Sequence, residues 1–117
     1  MKKILTTLFL FVLFTTSYAQ ENYHQKRNTY YVEAAAKEFD LDQKQQSELS
    51  KIRMEMVEKY RDSNKSFKAG EISEEEKKKI NKEASTTFHN KLSKLTGKNY
   101  KEMEPWLKKM REKMKKM

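Results

Sequence analysis

Leu41-Asp42-Gln43-Lys44-Gln45 and, 54 positions further on, Leu95-Thr96-Gly97-Lys98-Asn99 are built alike: an apolar residue, a helix-capping residue, and an amide three positions after the cap. An Asp or Thr side chain at such a place accepts a hydrogen bond from a free N–H of the first helical turn. The amide reaches back to the cap's own N–H, which makes the arrangement reciprocal. Asp42 and Gln45 are expected to form one such box, Thr96 and Asn99 the other. Two helix starts in a chain with one Pro and two Gly predict an all-α protein.

Upstream of the first start, residues 1–19 read as a signal peptide. Lys2 and Lys3 precede an apolar run from Ile4 to Phe14, and Ser17-Tyr18-Ala19 is a small-x-small cleavage site. The run is too short for a spanning helix, and no Cys follows it to carry a lipid anchor. Export to the periplasm is the expectation, with residues 20–117 forming a single domain. Loss of Lys2 and Lys3 lowers the formal charge from +9 to +7. The chain has no Cys, so neither disulfides nor thiolate ligands are available to it. A short chain without staples must hold itself together by packing or by association, and a homodimer is expected.

Further along, residues 20–28 are polar and read as a frayed segment, and Thr29 to Phe39 reads as helix. Val32, Ala35, Ala36 and Phe39 lie on one apolar face of it, and Tyr23, Tyr30 and Ala34 on another. Such a helix is expected to be packed on both sides. The longest helix runs from Gln43 to about Ala69, with Leu49, Ile52, Met56, Tyr60 and Phe67 on one stripe and Met54 well off it. Gly70 is its stop. Ser73 and Glu76 start the next helix as a capping box, and Glu74, Glu75 and Glu76 favour the positive end of its dipole. That helix carries Ile80, Ala84, Phe88, Leu92 and Leu95 at helical spacing. The short connection predicts a long antiparallel helical hairpin with flanking N- and C-terminal helices. In the last segment Tyr100, Met103, Trp106, Leu107, Met110 and Met114 recur helically. Pro105 predicts either a kink or a fresh start there. No stretch alternates with the period of a strand.

With both motifs placed, the chain resembles the LTxxQ-motif Spy/CpxP family of periplasmic helical stress proteins. In that family Leu-Thr-x-x-Gln opens two helices at a similar separation behind a signal peptide. The first copy keeps Leu41 and Gln45 and has Asp42 in place of Thr; the second keeps Leu95 and Thr96 and has Asn99 in place of Gln. The resemblance implies a thin, cradle-like homodimer of interlocked hairpins. It also implies ATP-independent binding of unfolding or partly folded proteins, or damping of a stress sensor that would then be a partner. Some members of the family bind metals through His-containing sites.

The residues themselves argue against an enzyme, since the chain has no Cys, two His and no Gly-rich phosphate loop. No cofactor is expected. His24 and His89 are the only candidate metal-ligating histidines, and neither has a His or carboxylate partner at i+3 or i+4. Lys98 to Met117 holds eight Lys or Arg and three Glu, a local charge of +5. Two readings stand for this segment. Met103, Trp106, Met110 and Met114, with Lys108, Lys109, Arg111 and the off-stripe Met54, can form an adaptable basic surface for clients or anionic headgroups. Alternatively the Met and Trp side chains complete the dimer core and leave only a solvated basic face. Nucleic acid is not expected as a partner, because export removes the protein from it.

Overall fold

A computed structural model describes residues 23–117, and the signal peptide expected over residues 1–19 lies outside the described residues. Among the described residues the chain is all-α, with four helices: α1 (residues 23–39), α2 (Gln43–Lys68), α3 (Glu74–Thr96) and α4 (Tyr100–Lys115).

The polar stretch before Thr29 is already helical at residue 23, contrary to the frayed segment expected from its composition. Asn28 explains why. It is buried, donates from Nδ2 to the Ser50 carbonyl (3.1 Å) and hydroxyl (2.8 Å), and accepts from Arg53 at Oδ1 (3.0 Å). A polar side chain can be buried at little cost when its donors and acceptor are all engaged. The two apolar faces of α1 are covered unequally, and of the second only Ala34 packs against the core. Val32 and Ala35 are buried together with Tyr31, whereas Tyr23 and Tyr30 remain exposed.

α1 ends at Asp40, whose φ is +54°. The Leu41 N–H bonds back to the Ala36 carbonyl (3.1 Å), the bond of a left-handed helix stop in which Gly is usual. α2 stops in the same way at Gly70 (φ +76°), with the Glu71 N–H on the Ser66 carbonyl (2.9 Å). Ser73 caps α3 by accepting from the Glu76 N–H (3.1 Å). The Glu76 carboxylate takes the Ser73 hydroxyl (3.2 Å), so this start differs from the reciprocal box expected. Pro105 neither restarts nor ends a helix: α4 runs through it. The N–H that proline lacks would have met the carbonyl of Lys101, and both residues lie on the exposed side of the helix.

α2 packs along α3. Gln45 meets Leu95, Glu55 meets Lys91 and Ser63 meets Asn81, so the two helices run in opposite directions. The core is gathered at one end of this pair. Leu49 and Ile52 of α2 and Phe88 and Leu92 of α3 are covered there by α1 and by the Met103–Met114 stripe of α4. Tyr31 and Trp106 meet edge to face (5.3 Å), and Phe39 meets Trp106 in the same manner (5.0 Å). Beyond the core the far parts of α2 and α3 continue as an arm where Phe67, Ile72 and Ile80 are only half-buried.

Candidate functional site

The two helix-start motifs meet in space at the core end of the α2–α3 pair. Leu41 is buried. Asp42 accepts from the Gln45 N–H (2.8 Å), and Gln45 Oε1 accepts from the Asp42 N–H (2.9 Å). The other end of the same amide, Nε2, donates to the Leu95 carbonyl (3.2 Å). Gln45 thus closes its own cap and ties it to the last turn of α3.

The second motif is used differently from its reading in sequence. Thr96 does not cap α4. It is the final residue of α3, with its hydroxyl on the Leu92 carbonyl (3.0 Å) and accepting from the Lys98 N–H (3.2 Å). Gly97 takes the left-handed conformation at φ +73° and turns the chain. The cap of α4 is Asn99, which accepts from the Glu102 N–H (2.9 Å) while Glu102 reaches back to the Asn99 N–H (3.4 Å). Asn99 is therefore the cap and not the amide that closes one, and Glu102 is the partner three positions on. Leu95 is partly buried against the core.

The C-terminal candidates divide between two faces of α4. Met103, Trp106, Met110 and Met114 are buried, with Met103 fully enclosed, so they pack into the core of the chain and are not exposed as the adaptable surface expected. Met54 is half-buried on α2. Lys108, Lys109 and Arg111 are exposed together with Lys101, Lys113 and Lys115. Ion pairs among the described residues join Lys78 to Glu74 and Lys91 to Glu55, and none involves a cation of α4. The helix therefore offers a basic face opposite its buried stripe.

His24 and His89 do not form a metal centre with other groups: among the described residues no cluster of three or more His, Asp or Glu side chains is placed to hold an ion. His24 packs edge-on to Tyr23 (5.4 Å), and His89 lies between Phe88 (5.7 Å) and Tyr100 (5.0 Å). Burial lowers the pKa of both imidazoles below 6.5. Arg61, Arg27 and Arg53 add to the effect at His24, and Arg111 does so at His89.

A further feature escaped the sequence reading. A cleft of about 380 Å³ opens between the four helices, with Tyr31, Met56, Phe88, Leu107, Met110 and Met114 along its walls. Arg27, Arg53, Arg111 and Lys115 also line it, and no Asp or Glu among the described residues does. Arg53 is 9% exposed. It donates to Asn28 and stacks on the Tyr31 ring (4.6 Å), while its Nε has no acceptor among the described residues. Burial lowers the Arg53 pKa and pushes the Tyr31 phenol above its ordinary range, with the arginine opposing the latter. A signal for this site was present in the sequence. Arg53 stands four positions after Leu49 and three before Met56, which places a cation on the core-facing stripe.

No protein-family model matches the chain, and no match was found among curated proteins or solved structures. The structure itself defines the class, an all-helical protein with a basic outer face and an arginine-bearing cleft.

Proposed function

We propose that the protein is an exported, ATP-independent binding protein of the Spy/CpxP kind. On this reading it acts in the periplasm, holds unfolding or partly folded proteins, and performs no covalent chemistry. The observation that carries the reading is the face of α4, where Lys101, Lys108, Lys109, Arg111, Lys113 and Lys115 are exposed without carboxylate partners among the described residues. Unpaired cations on one side of a helix attract acidic segments over a Debye length and release them readily, which suits transient holding. The half-buried apolar residues of the arm, Phe67, Ile72 and Ile80, take the loose-contact role in place of the buried Met and Trp side chains of α4.

The same reading includes a homodimer in which two α2–α3 hairpins interlock as a cradle. Support comes from the arm, whose two helices have no third layer over them among the described residues, so a second copy would extend the core along it.

The test combines light scattering with an aggregating client. The expected result is a dimer that suppresses aggregation at near-equimolar ratio, with the effect weakened by salt. A Lys108→Gln/Lys109→Gln/Lys113→Gln variant should lose most of the suppression while keeping its helicity. Unaltered suppression in that folded variant would remove α4 from the mechanism, and no suppression by the wild type at any ratio would defeat the reading.

A further inference from the structure

Buried arginines are ordinarily matched by carboxylates, because a guanidinium taken out of water is costly to leave uncompensated. Arg53 departs from that pattern. Its nearest polar partner is the neutral amide oxygen of Asn28, its flat face rests on Tyr31, and its Nε is buried without an acceptor among the described residues. Arg27, Arg111 and Lys115 stand around the same cleft, so among the described residues every charged side chain that lines it is a cation. The depression of the His89 pKa, to which Arg111 contributes, agrees with this.

The walls are of the opposite character. Met56, Met110 and Met114 contribute flexible thioethers, and Phe88 and Leu107 supply rigid apolar surface. At about 380 Å³ the cleft lies at the small end of ordinary ligand pockets. It suits one small molecule better than a folded segment of another protein. One buried cation matches one anionic head, and the Met-rich wall matches a tail without fixed shape.

We propose that this cleft is a binding site for a small carboxylate with an apolar tail, of the medium-chain fatty-acid class, whose head pairs with Arg53 while its tail lies along Met56, Phe88 and Met110. A planar guanidinium offers a carboxylate two parallel donors, which sets both affinity and orientation. Arg27 and Arg111 draw the anion in. Arg111 and Lys115 border both the cleft and the basic face of α4, but the site does not depend on the holding activity: Lys108, Lys109 and Lys113 do not line it.

Calorimetric titration of the full chain with decanoate, kept below its micellar concentration, tests the site. Saturable one-to-one binding is expected, with a rise in melting temperature. Decanol, which has the same tail without charge, and acetate, which has the head without the tail, should each bind at least about tenfold more weakly. Arg53→Met should lower decanoate affinity by about tenfold or more while leaving any decanol binding unchanged. Equal affinity for decanoate and decanol, or unaltered decanoate binding by a folded Arg53→Met protein, would overturn the proposal, as would the absence of saturable binding. If Arg53→Met does not fold, Arg27→Gln/Arg111→Gln decides. Weaker decanoate binding with unchanged decanol binding supports the site, and no change overturns it.

Discussion

Single residues at the two ends of the charge scale are legible in different degrees. Asp42 and Gln45 could be assigned from spacing alone, because a capping box is local and depends on nothing outside its own four residues. Asp40 could not. It occupies a left-handed position at φ +54°, a conformation its side chain tolerates but glycine adopts without strain. Asp40→Gly is therefore expected to leave stability unchanged or raise it by about 0.5 kcal/mol, measured by urea unfolding. A loss would mean that the Asp40 side chain makes a contribution beyond its backbone. His89 gives a second prediction at this scale. Its folded-state pKa lies below 6.5, chiefly through burial, so the unfolded chain binds more protons as pH falls through that value. Stability should then be full above about pH 6.5 and decline toward the lower folded pKa. His24 is shifted in the same direction. Melting temperatures recorded from about pH 7.5 down to about pH 5 should fall, and His89→Gln should flatten that slope. A wild-type profile that rises on acidification would contradict the shift.

At the scale of elements, the second start motif shows how a cap can be misplaced by three residues. Leu95-Thr96 has the look of a beginning, yet Thr96 closes α3 and Asn99 opens α4 with Glu102 as its partner. The intervening Gly97 separates the two roles, since its positive φ both stops one helix and redirects the chain. Asn99→Ala should cost about 1 kcal/mol by removing the side-chain acceptor from the first turn of α4. Thr96→Ala, which removes no cap acceptor from α4, should cost less. The reverse order in chemical denaturation would restore Thr96 as the cap. Pro105 makes the same point from the other side. A single proline need not break a helix when it stands on the exposed side, as Pro105 and Lys101 do.

For the whole molecule, the decisive feature is that the core occupies one end of the α2–α3 pair. Phe88 is 3% exposed within an aromatic and Met-rich cluster, whereas Phe67, on the same kind of helical stripe, is half-buried with Lys77 over its ring (4.9 Å). Phe88→Ala should therefore cost about 3 kcal/mol or more, a large part of the stability of a chain this small. Phe67→Ala should cost clearly less, because its ring is already in partial contact with water. Equal losses in thermal unfolding would mean that the core extends along the arm. Ser63, buried beside Asn81 (2.6 Å), puts a polar contact where an apolar layer would stand, which sets the arm apart from the core.

The sequence by itself determined the all-α class, the start of α2, the bounds of α2 and α3 to within about a residue or two, and the apolar stripe of α4. These follow from propensity, capping and periodicity, all properties of neighbours a few positions apart. It also carried a readable but unused sign in Arg53, a cation on a core-facing register position. Tertiary structure alone decided which side of each stripe is covered. It buried the Met and Trp side chains of α4 instead of presenting them, joined Gln45 to Leu95, and brought Arg27, Arg53 and Arg111 around one apolar cleft. The physical reason is that burial and charge pairing are set by what stands opposite a side chain, and here the opposite residue is tens of positions away. Two capping motifs can start helices unaided, but their meeting at one end of the molecule depends on how all four helices pack.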